Sequence, residues 1–208
     1  MSKNIKIHEV GFRDGLQNEK VVIPTELKIR WIESILNSNV DIIQLGSFVN
    51  KEKVPQMADT DILFKHFKSN DYNVLFSALA LNEKGADMAV ESGADVICLG
   101  ASASNTHSLK NTGMNTSDAV SRIINIARRL TNEGKKVQVS VQSAFGCGFE
   151  GSISEEHVLN IAKKYIENGL INISLADTAG HAYPEQVTRL FSAIKSFDEN
   201  TRTNLTFS

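Results

Sequence analysis

Three stretches of the chain share one pattern of polar and apolar positions: Ser38 to Gly46 (SNVDIIQLG), Ser92 to Gly100 (SGADVICLG) and Asn168 to Ala176 (NGLINISLA) align without gaps. Each opens on two small or polar residues, the second an Asn or a Gly, and then runs almost wholly apolar. An Asn or Gly just past a helix takes the left-handed cap conformation readily. The apolar run after it suits a parallel strand covered on both faces. Each stretch therefore reads as a helix stop followed by a buried strand.

Helical spacing fills the intervals. Apolar residues recur three and four apart in Thr25 to Asn37, Thr116 to Glu133, Ser154 to Asn168 and Pro184 to Ser196, as in Val158, Ile161, Ala162, Tyr165 and Ile166. Thr25, Thr116 and Ser154 are expected N-caps, Pro184 fits a first helical position, and Gly134 and Gly169 fit stops. Adding Asn73 to Ala78 and Lys136 to Val141 gives strand starts near residues 5, 41, 73, 95, 136, 171 and 204. Strands alternating with helices predict a parallel sheet with helices outside, either doubly wound or closed as a barrel. The spacing favours a TIM (β/α)8 barrel, with about the first six βα units and the start of strand seven. A full barrel takes roughly 250 residues. The chain, read as one domain over 1–208, is thus expected to be the N-terminal part of a longer protein, incomplete at its C-terminal side.

Composition narrows the function. The chain has 208 residues, 41% hydrophobic and 22% charged, enough to bury a sizeable core. Basic and acidic residues nearly balance, 22 against 24, so no strong field exists to draw in nucleic acid or an anionic membrane. Neither partner is expected. Cys98 and Cys147 match no zinc-ligand spacing and the N-terminus carries no signal-peptide pattern, so a cytoplasmic location is expected.

Polar residues gather where strands end. Arg13 and Asp14 follow the first strand, between Gly11 and Gly15, and Gln44 lies in the second near its end. Ser102, Asn105, His107, Lys110 and Asn111 fall in an expected loop after the fourth, Gln142 and Ser143 follow the fifth, and Ser174, Asp177, Thr178 and His181 follow the sixth. The C-terminal ends of barrel strands form the active face. Asp14 and Asp177 converging there would suit a hard, oxygen-ligated cation. Cys98, within an apolar strand, reads as a small buried hydrophobe.

The segment Val10 to Lys20, VGFRDGLQNEK, resembles the start of the 3-hydroxy-3-methylglutaryl-CoA lyases and of the wider metal-dependent (HMGL-like) lyase and synthase superfamily. Ser47-Phe48-Val49 with Val54-Pro55-Gln56-Met57, then Phe145 to Gly151 (FGCGFEG), then Ser174 to Gly180 (SLADTAG) are similar to lyase motifs in the lyase order. Four ordered motifs are far more specific than one.

The resemblance implies a (β/α)8 barrel that cleaves a 3-hydroxyacyl-CoA, such as 3-hydroxy-3-methylglutaryl-CoA, to acetyl-CoA and a keto acid by a retro-Claisen reaction. It implies a divalent cofactor, Mg²⁺ or Mn²⁺, with Asp14 as a metal ligand. Arg13 is implied as the cation that stabilises the enolate oxygen, Asp177 as a catalytic carboxylate, and Lys20 as a contact for the anionic CoA end. A homodimer is expected. Two features depart from the family. Gln44 stands where the lyases carry a catalytic glutamate, and an amide cannot take a proton as a carboxylate can. The family's His-x-His metal pair, metal-binding Asn and mobile catalytic Cys would all follow Ser208, so the chain by itself is expected to be inactive. Cys147 matches a different family cysteine and inherits no catalytic role. The alternatives are a Claisen-type acyl transferase joining acetyl-CoA to a 2-keto acid, and a non-catalytic barrel that lost the glutamate.

Overall fold

The computed structural model describes residues 5–69, 72–197 and 203–208. Among these residues seven strands alternate with helices, and the chain divides into two compact units, one ending at Ile97 and the other running from Cys98 to Ser208.

The first unit holds β1 (His8–Glu9), β2 (Ile42–Phe48) and β3 (Leu75–Ala80), with α1 (Thr25–Ile35), α2 (Thr60–Phe67) and α3 (Glu83–Glu91). Its strands lie in chain order and pair in parallel, His8 opposite Ile42 and Ile43 opposite Phe76. Side chains alternate across a strand, which separates two faces. Phe76 packs its ring 5.5 Å from that of Phe67 on α2, so Phe76 and its partner Ile43 face the helices. His8, Ile42, Gln44 and Ser77, offset by one position from that set, project from the opposite face. Periodicity alone thus sorts this unit into a helix-covered core face and a polar face.

The second unit takes in most of β4 (Val96–Ser102), then α4 (Asn105–Thr112), α5 (Thr116–Asn132), β5 (Lys136–Gln142), α6 (Glu155–Glu167), β6 (Asn172–Leu175), α7 (Pro184–Ser196) and β7 (Asn204–Phe207). Here β5 pairs in parallel with β6, and β6 with β7. The helices bury their apolar stripes: Ile126 and Leu130 of α5, Val158 and Ile161 of α6, Leu190 and Ile194 of α7. Tyr165, fully buried, donates its hydroxyl to the carbonyl of Ser140 at 3.3 Å.

The repeated stop-and-strand pattern has a direct structural counterpart. Asn39, Gly93 and Gly169, aligned in sequence, all have left-handed backbone, with φ of 59°, 79° and 77°. Two residues on, Asp41 accepts the Ile7 amide at 2.7 Å and Asp95 accepts the Phe76 amide at 2.8 Å. Each aspartate binds the backbone of the preceding strand at the point where its own strand begins. The third copy has Ile171 there and so lacks the carboxylate; its carbonyl accepts the Asn204 amide of the following strand at 2.7 Å.

Several expectations shift. Asn105, His107, Lys110 and Asn111 lie in α4 rather than a loop, because Ser104 caps its start by accepting the His107 amide and Gly113, with φ of 74°, ends it. The N-cap of α5 is Asn115, not Thr116, and accepts the Asp118 amide. Pro24, not Thr25, precedes α1, while Ser154 caps α6 and Pro184 opens α7 as expected. Gln44 stands third in β2, well before its end. Arg13 and Asp14 sit in a single π-helical turn, Gly11–Gly15.

Candidate active site

The polar face of the first unit carries a compact cluster. The turn after β1 returns its amides to one acceptor, with Arg13 and Asp14 both donating to the Val10 carbonyl at 3.0 and 2.7 Å. That winding brings Arg13 back over β2. Its Nε donates to Gln44 Oε1 at 2.5 Å, and its Nη1 pairs with Asp14 Oδ1 at 2.6 Å. Arg13 is largely covered, Gln44 is buried, and the Asp14 side chain remains 58% exposed.

A bulge aims Gln44. Register runs Gln44 opposite Ser77 and then Gly46 opposite Ala78, so Leu45 is the extra residue. Such bulges bend a strand and redirect a side chain. The bulge is held from behind: a Cβ on Gly46 would meet Thr60 Oγ1 at 2.3 Å, and Thr60 is itself fixed by donating to the carbonyls of Met57 and Ser47. Only a glycine lets α2 approach this closely.

Beside this group lies a pair that the sequence reading did not single out. His8 Nε2 and Ser77 Oγ are 2.8 Å apart, reaching from β1 across β2 to β3. Burial, and then the Arg13 charge, lower the His8 pKa to about 4 against a weaker opposing pull from Glu9. The imidazole is therefore neutral near pH 7. The signal available in sequence was the period-two placement of His8 in Ile7-His8-Glu9, which puts it on the Gln44 face.

Lys20 is exposed in the loop that leaves this turn. The loop is tied at two points, by Asn18 Nδ2 donating to the Asp14 carbonyl at 3.1 Å and by Gln56 Nε2 donating to the Glu19 carbonyl at 2.6 Å.

In the second unit Asp177 follows β6. Its Oδ1 accepts the His181 amide at 2.8 Å and its Oδ2 the Ala182 amide at 3.1 Å, so both oxygens shape the loop leading into α7. His181 in turn lies against Gly146, where a Cβ would meet its Nδ1 at 2.3 Å. The segment Gly146 to Gly151 is a small antiparallel loop closed by paired backbone bonds between Cys147 and Gly151. Glu150 at its tip accepts the Thr106 amide at 2.6 Å, which fastens the loop to the start of α4. Cys147 is buried. Desolvation would raise its pKa, but the contacts from Ser104 and from the amides of Phe149 and Glu150 bring it down overall. These bonds explain the GCGFEG motif as an anchor.

Among the described residues, no three or more His, Cys, Asp or Glu side chains are placed together to hold a metal. Asp14 offers one carboxylate with an oxygen already paired to Arg13, so this set does not constitute a metal centre by itself. Among the described residues, no helix is long and apolar enough to cross a membrane.

Comparison with known proteins gives this arrangement a context. Residues 4–204 match the HMGL-like family, and the chain belongs to it. It is 34% identical over 196 residues to the hydroxymethylglutaryl-CoA lyase of Bacillus subtilis, covering 92% of this chain and 64% of that protein. It is 37% identical over 176 residues to the cytoplasmic 3-hydroxy-3-methylglutaryl-CoA lyase of Danio rerio, covering 85% and 52%. The chain thus spans between about half and two thirds of the length of these relatives. An HMG-CoA lyase of Acinetobacter baumannii, solved with coenzyme A and 3-methylmalate, superposes with a TM-score of 0.87 at 34% identity, over 96% of this chain and 65% of that one. The B. subtilis HMG-CoA lyase structure gives 0.88 at 32% identity, over 98% and 68%. The fold is that of a TIM barrel, represented here by six strand–helix units and a seventh strand.

Proposed function

We propose that the protein is a carbon–carbon lyase that cleaves a 3-hydroxyacyl-CoA, such as 3-hydroxy-3-methylglutaryl-CoA, into acetyl-CoA and a keto acid. The observation that carries this reading is the Arg13 guanidinium fixed between Asp14 and Gln44 on the polar face of β1 and β2, in a chain of the HMGL-like family. Breaking the bond beside a thioester leaves negative charge on its carbonyl oxygen. A cation already oriented toward that oxygen stabilises the charge without reorganising. Arg13 cannot lose its proton, and two of its donors are spent on Gln44 and Asp14, which fixes the plane of the fork.

Gln44 orients Arg13 but takes no proton. Proton removal from the substrate hydroxyl falls in this reading to a carboxylate, for which Asp177 is proposed. Asp14 is proposed as one ligand of a Mg²⁺ or Mn²⁺ ion, which when bound lowers the pKa of a coordinated hydroxyl. Lys20 is proposed to meet the anionic end of the CoA. A cytoplasmic homodimer completes the proposal; the buried thiols of Cys98 and Cys147 suit a reducing compartment.

The test is a coupled assay for acetoacetate and acetyl-CoA on the purified full-length protein with Mg²⁺ or Mn²⁺, with Arg13→Ala alongside. Removing one oriented donor of this kind costs about 10²–10³ in rate. Release of both products, lost in the variant, supports the reading; no cleavage of any 3-hydroxyacyl thioester rejects it.

A further inference from the structure

Behind the loop that carries Lys20 lies a buried charge pair which the reaction described above does not use. Lys28, in α1, is only 1% exposed, although lysine is almost never buried without a partner. Its Nζ donates to Asp59 Oδ1 at 2.7 Å and to the backbone carbonyl of Gln56 at 2.6 Å. Asp59 Oδ2 accepts from Thr25 Oγ1 at 2.9 Å. The pair is therefore satisfied on both sides and pins the 3-10 turn Pro55–Met57 to α1.

That turn reaches the loop through one side chain. Gln56 Nε2 donates to the Glu19 carbonyl at 2.6 Å, one residue before Lys20. The other end of the loop is tied to the Arg13–Asp14 turn by Asn18. A run of bonds thus leads from a buried ion pair to the backbone beside an exposed lysine. Breaking a buried pair is costly and leaves a charge stranded, so the Lys28–Asp59 end acts as a fixed post. Gln56 carries the side-chain link from it to the loop.

We propose that Gln56, held by Lys28 and Asp59, is a positioning residue that fixes where Lys20 presents its ammonium, and so sets affinity for the anionic end of an acyl-CoA. This rests on the reading of Lys20 given above. Loss of one neutral hydrogen bond corresponds to about a two- to tenfold change in an equilibrium.

The probe is Gln56→Met, which keeps the length of the side chain and removes the donor while leaving Lys28 and Asp59 paired. Mass-resolved trypsin cleavage at the Lys20–Val21 bond reads the loop directly. The expected result is several-fold faster cleavage there in the variant, with unchanged cleavage after Lys135. Calorimetry with coenzyme A should show a loss of affinity of similar size for Gln56→Met in the wild-type background and none in a Lys20→Met background. Unchanged cleavage at Lys20–Val21, or an equal loss of affinity in both backgrounds, overturns the proposal. A Lys20→Met protein that binds coenzyme A as well as wild type shows that the Lys20 reading itself failed, and the positioning role falls with it.

Discussion

Arg13 donates its Nε–H to the Oε1 of Gln44 across 2.5 Å while its Nη1 pairs with Asp14, so a buried amide on β2 shares the orienting of this guanidinium with one exposed carboxylate. The Gln44 contact fixes geometry without adding negative charge of its own. With the Oε1 turned to Arg13, Gln44 keeps its NH₂ as a donor.

A site built this way should favour a substrate group that accepts hydrogen bonds and should remove protons poorly. The full-length wild-type protein is expected to turn over 3-hydroxy-3-methylglutaryl-CoA poorly or not at all while acting on a related hydroxyacyl compound. Gln44→Glu should raise the lyase rate, since a positioned acid or base contributes about 10²–10⁴-fold. Acetoacetate release by both proteins at several pH values decides this, and a rate for the variant equal to or below wild type ends the argument.

Asp14 is more than half exposed, and one of its oxygens is held by Arg13. If it ligates a divalent ion, Asp14→Ala removes an anionic donor, and affinity for both Mg²⁺ and Mn²⁺ should drop at least about tenfold, the low end of the loss when even a residue supporting a metal ligand is removed. Titration calorimetry on wild type and variant measures it. Equal affinities in the two proteins would remove Asp14 from the metal assignment.

Gly46 should tolerate no side chain. A methyl group there would lie 2.3 Å from Thr60 Oγ1 and 3.0 Å from its Cγ2, and Thr60 opens α2 with its hydroxyl bonded to two carbonyls. Gly46→Ala is expected to cost about 1–3 kcal/mol, the usual range for overpacking. Urea denaturation reads the loss, and Thr60→Ser in the same protein should recover part of it by removing the Cγ2 contact.

What the sequence disclosed and what it withheld follow one physical division. Strand starts at 42, 75, 96, 136, 172 and 204 lie close to those expected, because short apolar or alternating runs set between helical segments mark parallel strands. The left-handed stops at Asn39, Gly93 and Gly169 were legible for the same local reason. Helix α4 was not, since Asn-Thr-His-Ser-Leu-Lys-Asn-Thr has no apolar stripe and is secured by its caps and by Glu150, 44 residues away from Thr106. At the site, Arg13 and Asp14 were visible as an unusual pair between glycines. The bond from Arg13 to Gln44, the bulge at Leu45 and the Lys28–Asp59 pair were hidden, because each depends on a partner about 30 residues distant or on a register shift that residue types do not encode.

The His8–Ser77 pair leads to a prediction with a definite sign. Burial is the larger force against a charge on His8; of the groups facing it, Arg13 opposes a second positive charge and Glu9 favours one more weakly. The folded-state pKa of about 4 lies below the ordinary 6.5. Above pH 6.5 the imidazole is neutral whether folded or not, and it costs nothing. As pH falls from 6.5 toward 4, the unfolded chain takes up a proton that the folded chain refuses, so folding stability drops with pH and then levels off. The whole effect is on the order of 3 kcal/mol, with about 2 kcal/mol of it falling between pH 7 and pH 5. Carboxylates also titrate near the lower end, so the informative quantity is the difference from His8→Gln, which retains a donor for Ser77 and has no charge to gain. Urea midpoints at the two pH values should converge for the variant and separate for wild type. If the two proteins lose the same stability on acidification, His8 is not held neutral by the fold.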